Sequence, residues 1–286
     1  MGATLGVFFG VLVMISWGTA DFFVAKAVNK ISIFKTFFWS QIIGVALYTL
    51  FSLFLKIPEI ALTLIPPILI TGFLGTVAYL SFYRGLQKGK VSIVSPIAAC
   101  WSIITVVLSL VLLGEELLGV QALGVGLSIS GAILTSFRLH DLIKLKLGNL
   151  SAGVGYALIA LLSWSLHYFL IDILVAELNW FFSMLSVKTA MAITLTIYSF
   201  FRKESVSFPS NAKLYVFLIG VFEFLAYLAY GFGINSEFTA IVAPIASAFP
   251  LVTIILAKIF LKESLEINQT IGITSVLMGL FFLSMK

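Results

Sequence analysis

The chain has 286 residues, of which 61% are hydrophobic and 10% charged, with a mean hydropathy of +1.15 and a net charge of +5. Soluble domains are about 45–50% apolar and about 25% charged, so this composition excludes an ordinary soluble protein, a disordered chain and a secreted disulfide scaffold. The basic residues sit singly or in pairs between apolar runs, so no nucleic-acid partner is expected. The single cysteine, Cys100, can form neither an intrachain disulfide nor a thiolate metal cluster.

A membrane-crossing helix needs about 20 apolar residues. Ten runs meet this, in chain order Leu5–Val28, Ile33–Leu55, Leu62–Tyr83, Ser92–Leu113, Val120–Phe137, Ser151–Val175, Trp180–Phe201, Leu214–Ile234, Thr239–Leu261 and Ile267–Met285. The first contains a cleavage look-alike, Ala25-Lys26-Ala27, but lacks a basic leading segment and recurs later in the chain, so it reads as a retained span. The loops are short and carry turn residues, as in Lys56-Ile57-Pro58-Glu59. No loop could house a separate domain, so any function lies within the bundle.

Residues 78–137 and 226–285 align without gaps at an offset of 148, with about 18 of 60 positions identical. Pro96-Ile97-Ala98 falls on Pro244-Ile245-Ala246, Glu115 on Glu263, and Gly124 and Gly131 on Gly272 and Gly279. Upstream, Ser16-Trp17 matches Ser163-Trp164. Each repeat holds five spans. Five is odd, so the second copy must cross the bilayer inverted, an arrangement of secondary transporters with a site near the midplane. The expected architecture is an all-α membrane protein of ten transmembrane helices, as two inverted five-helix repeats (1–137 and 151–286) around a central cavity. The intervening 138–150 suits an interfacial helix or a solvated linker.

About 14 of the 17 Lys and Arg residues flank odd-numbered loops. The positive-inside rule places those loops in the cytoplasm and both termini outside.

Intramembrane ionisable groups are costly and face the bundle interior by default. Glu223 lies near the middle of span eight, with Tyr227 and Tyr230 on the same helical face. Asp21 shares a face with Trp17, and Lys26 lies five residues beyond it. In span six, Trp164, Tyr168 and Asp172 recur at helical spacing beside His167. Trp17, Asp21, Tyr79, Tyr83, Trp101, Trp164, His167, Tyr168, Glu223, Tyr227 and Tyr230 form the expected cavity wall. Glu223, Asp21 and His167 are the proton-coupling candidates; structural roles for each, such as an Asp21–Lys26 ion pair or a neutral His167 bonded to a carbonyl, stand beside that reading. Lys188 either balances Glu223 or extends toward an interface. Pro96 and Pro244 are expected hinges. Glu115 and Glu263 are expected to be structural, each favoured by the dipole of the helix that follows. The spaced glycines are packing features.

No metal motif, phosphate-binding loop or catalytic constellation is present, so no metal, cofactor or enzymatic activity is expected. Trp17-Gly18 with Phe22 and Lys26, the early prolines of spans four and nine, and the Gly114-Glu115 and Lys262-Glu263 corners resemble EamA-type members of the drug/metabolite transporter superfamily. The resemblance covers nearly the whole chain as two tandem units. It implies secondary transport of small metabolites, often amino acids or related compounds and often outward, in the plasma membrane, with both termini in the cytoplasm. That orientation is the reverse of the one the charges favour. The function expected is a secondary transporter acting by alternating access on a small-molecule substrate in contact with membrane lipid, with proton coupling as an option. A lipid-handling membrane protein or enzyme, or a passive channel, is the alternative.

Overall fold

A computed structural model describes residues 2–88, 91–140, 153–262 and 264–285. Among these the regular structure is helical throughout. The helices of the first half are α1 (Gly2–Ala27), α2 (Ile33–Ser52), α3 (Ile65–Lys88), α4 (Val91–Ala99), α5 (Trp101–Leu112) and α6 (Gly119–Thr135). Those of the second half are α7 (Val154–Leu178), α8 (Trp180–Arg202), α9 (Lys213–Ser236), α10 (Thr239–Ser247), α11 (Phe249–Leu256) and α12 (Ile267–Leu283). A π-helical turn, Ala257–Leu261, extends α11.

Eight segments are long and apolar enough to cross a bilayer, and α6 and α12 add two shorter apolar helices of 17 residues. Ten crossings result, because α4 with α5 and α10 with α11 each form one broken span. Their outer faces are apolar, with Phe73, Phe200, Phe201 and Phe281 more than half exposed. This is the exterior that hydrocarbon requires, and the helices satisfy their own backbone groups there. The protein is therefore a multi-pass membrane protein. The segment read as an interfacial helix or linker falls mainly on 141–152, outside the described residues.

The packing obeys a pseudo-twofold exchange of the halves. α1 lies along α9 as α7 lies along α3, and α2 touches α9 as α8 touches α3. α1 packs on α10 and α11 as α7 packs on α4 and α5, while α6 pairs with its own repeat mate α12. Each half thus packs across the other. The repeat extends to single bonds. The Thr105 hydroxyl donates to the Ser165 carbonyl (3.2 Å) and the Thr253 hydroxyl to the Gly18 carbonyl (3.1 Å). Leu118 N–H donates to Gln121 Oε1 and Glu266 N–H to Gln269 Oε1, opening α6 and α12 alike.

Two expectations need correction. The helices run on through Pro96 and Pro244 and break four residues later, at Cys100 and Ala248. In the second half a further proline, Pro250, lies in the first turn of α11. It has no N–H for the Ala246 carbonyl, and its ring would clash there in a continuous helix. Carbonyls next to the breaks are held by side chains instead: Cys100 Sγ bonds Pro96 O, and the Ser247 hydroxyl donates to Pro244 O at 2.8 Å.

Glu115 does not serve the helix that follows it. Its two oxygens accept the Thr239 and Ala240 N–H groups, both at 2.8 Å, and so cap α10 of the opposite half. Loop 113–118 passes beside the start of α10, whose first N–H groups have no partner within their own helix. Burial pushes this carboxyl up to about 7, against the lowering effect of the two N–H bonds, with Asp172 and Glu237 adding repulsion. Glu263 lies outside the described residues.

Candidate functional site

The mid-membrane core is aromatic. Trp17 of α1 packs on Tyr168 and Tyr227, Trp101 on Tyr168, and Trp164 on Tyr79 and Phe82. Between the halves these rings leave a narrow chamber of about 30 Å³. Trp17, Asp21, Tyr79, Tyr83, Trp101, Trp164, Tyr168 and Glu223 line it, together with Phe82 and Phe249. A second and larger chamber, of about 200 Å³, shares Asp21, Phe82, Trp101, Trp164 and Phe249 with the first and continues past Ser95 to Ser136. Ser95 lies at the start of span four and Ser136 at the end of span five, so this passage leads toward the odd-numbered loops.

The opposite face is shut. Every residue of α10 is buried, while its repeat mate α4 is part-exposed at Ser95, Pro96 and Ile97. The Ser102 and Ser247 hydroxyls, 3.0 Å apart, join α5 to α10 on that side.

Three residues expected on the wall lie behind it. His167, Tyr227 and Tyr230 are fully buried and do not border the chamber. His167 Nδ1 is 2.8 Å from Thr71 O, which can only accept, so Nδ1 carries the proton. Nε2 is then free to accept from the Tyr227 hydroxyl at 3.2 Å. Both ring nitrogens are thus hydrogen-bonded within the bundle. Tyr230 packs its ring on Trp17 and Tyr168.

Glu223 reaches the chamber, but Lys188 holds it. Lys188 Nζ lies 3.0 Å from Glu223 Oε2, 3.3 Å from Gln41 Oε1 and 3.6 Å from the centre of the Tyr227 ring. The Tyr79 hydroxyl meets Glu223 Oε1 at a long 3.4 Å. This settles the choice left open for Lys188: it balances Glu223. Asp21 differs. Among the described residues it makes no hydrogen bond or ion pair, and Lys26 lies over the Phe22 ring at 4.6 Å. The Asp21–Lys26 pair is absent.

The repeat explains why the acids are not duplicated. The counterpart of Glu223 is Gly75, where a Cβ would stand 2.6 Å from His167 Cε1. The counterpart of Asp21 is Tyr168. Sequence reasoning missed Phe249 and Gln41, while Phe82 shares the helical face of Tyr79 in span three and was legible there. Phe249 was recoverable, because the offset of 148 places it on Trp101. Among the described residues no group of His, Cys, Asp or Glu has the geometry to hold a metal.

A chamber between two inverted, interlocked halves, reached from one membrane face and shut at the other, defines a membrane transporter. The chain belongs to the EamA-like transporter family, which matches residues 4–137 and 151–285. It is 24% identical over 225 residues to an uncharacterized transporter of Archaeoglobus fulgidus, covering 79% of this chain and 76% of that one. It is 32% identical over 133 residues to an uncharacterized protein of Methanocaldococcus jannaschii, covering 46% of this chain and 95% of that one. A solved crystal structure shares the fold, with a TM-score of 0.77 at 15% identity over 97% of this chain and 95% of its own.

Proposed function

We propose that the chain is a secondary transporter that moves small, partly apolar metabolites by alternating access. One observation carries this reading: the aromatic chamber is reached past Ser95 and Ser136, while the pseudo-equivalent route through α10 is packed shut. Exchanging the two repeats' conformations closes the first route and opens the second. The breaks at Cys100 and Ala248 are the joints about which α4 and α10 would swing, four residues beyond the prolines first read as hinges. Charge placement favours cytoplasmic odd-numbered loops in the plasma membrane, which makes this conformation inward-open.

Of the three expected proton carriers, Asp21 is the one with no partner among the described residues, so it is the acid we assign to any proton-linked step. The test is counterflow in sealed proteoliposomes with pooled labelled amino acids, amines and sugars, with and without a pH gradient. Saturable counterflow of one pool is expected, faster with the gradient. Flux that fails to saturate would mean a channel, and no flux of any pool from folded protein would remove the carrier reading.

A further inference from the structure

The charges around the chamber are unevenly distributed. Asp21 and Glu223 border it, and among the described residues no Lys or Arg does. Lys188 is 1% exposed and spends its charge on Glu223, Gln41 and the Tyr227 face. With Glu223 and Lys188 paired to each other, Asp21 is the acid at the chamber left without a partner among the described residues, and a cation placed beside it favours its carboxylate form. His167 is fully buried behind the wall with both ring nitrogens hydrogen-bonded to the bundle, so it offers no group to a ligand in the chamber. The other polar groups on the wall are neutral hydroxyls and indoles, those of Tyr79, Tyr83, Tyr168, Trp17, Trp101 and Trp164. They suit a hydroxyl or a water and cannot offset the charge of a carboxylate. A zwitterionic amino acid would place its carboxylate against two acids with no cation to receive it. A buried unpaired charge is heavily penalised.

We propose that the chamber selects organic amines bearing one positive charge and no carboxylate, with the ammonium group on Asp21 and the apolar body against Trp17, Trp101 and Trp164. The aromatic faces add cation–π attraction. The repeat mate of Asp21 is Tyr168, so the anionic position exists once, off the pseudo-twofold axis, and one ammonium fills it. This narrows the substrate class of the proposed carrier; it rests on that reading for flux but not for binding.

Three probes share a phenyl body and differ in charge: phenethylamine is a cation, phenylalanine a zwitterion and phenylpropionate an anion. Purified full-length protein in detergent is titrated with each, read by Trp quenching and checked by calorimetry. Phenethylamine is expected to saturate the signal, with the other two at least about tenfold weaker. Asp21→Asn is expected to weaken phenethylamine by about tenfold or more without lowering Tm, and Asp21→Glu to recover part of the loss. Phenylalanine binding as tightly as phenethylamine, or no binding of phenethylamine to the wild-type protein, overturns the proposal. Unchanged phenethylamine affinity in Asp21→Asn does so too, and the wild-type comparison decides even if that variant misfolds. Counterflow separates the two claims. Phenylalanine flux without amine binding leaves the carrier and removes the amine site. Amine binding without flux of any probe does the reverse.

Discussion

Lys188 and Glu223 show how a buried charge constrains the experiment meant to probe it. Glu223→Gln alone would leave an ammonium 1% exposed beside two amides and a ring face. Breaking a buried pair from one side costs about 3–5 kcal/mol, whereas replacing both partners with apolar groups of similar volume is often neutral. Melting curves in detergent should therefore show large losses for Glu223→Gln and for Lys188→Met, and a smaller loss for Lys188→Met with Glu223→Gln than the singles sum to. Strict additivity would mean that the pair is not coupled. Glu115 gives a prediction in pH. Its folded pKa, about 7, lies above its ordinary value of 4.5, so the folded state binds the extra proton between those limits. Stability from this group rises as pH falls through that window. The Tm advantage of wild type over Glu115→Gln should widen between about pH 8 and about pH 5. A gap that narrows on acidification would contradict it. The acids themselves were legible in the sequence, because depth along an apolar run is a one-dimensional property. Their partners were not. Lys188, Gln41 and Glu223 sit on three different spans, and which faces meet depends on helix rotation.

At the scale of the element, the ten spans and their repeat were readable because length, hydropathy and the 148-residue offset are all linear features. The break positions were harder to read. A proline marks a missing N–H, but the chain bends where the next turn fails, at Ala248 ahead of Pro250 and at Cys100 in its repeat mate. The glycine spacing was read as packing, and the reason is visible at the α6–α12 contact. A Cβ on Gly131 would stand 2.7 Å from the Gly272 carbonyl oxygen, and one on Gly272 would stand 2.9 Å from the Gly131 oxygen. Backbones this close leave no room for a methyl group, and in lipid such contact is a main source of helix association. Gly126 is the control on the same helix, with nothing within 4 Å of its would-be Cβ. Gly131→Ala should cost about 1–3 kcal/mol through overpacking. Gly126→Ala should be neutral or stabilising by up to about 1 kcal/mol, from helix propensity. Equal melting temperatures for the two variants would show that α6 and α12 are not in backbone contact.

For the whole molecule, the pseudo-twofold makes conformation testable without a substrate. The repeat pairs Ser95 of α4 with Ala243 of α10. A symmetric, occluded protein would expose both equally. Here Ser95 borders the passage to the odd-loop face, and Ala243 is 0% exposed on the closed side. That inequality was invisible in the sequence, since the repeats differ too little there to say which half is swung out. It reflects the packing of the whole bundle: α10 is held down by Glu115 from the opposite half and by Ser102, and α4 leaves its counterpart route open. In a Cys100→Ala background, Ser95→Cys should react with a water-soluble maleimide while Ala243→Cys stays protected. Loosening the closed face with Glu115→Ala and Ser102→Ala should shift reactivity toward Ala243→Cys and away from Ser95→Cys. An alternating-access protein must trade one opening for the other. Reactivity gained at Ala243→Cys with none lost at Ser95→Cys would describe a pore open at both ends. The same pair of thiols, labelled in intact cells with an impermeant reagent, reports which face is which. With the basic loops inside, Ser95→Cys stays unlabelled until the membrane is permeabilised.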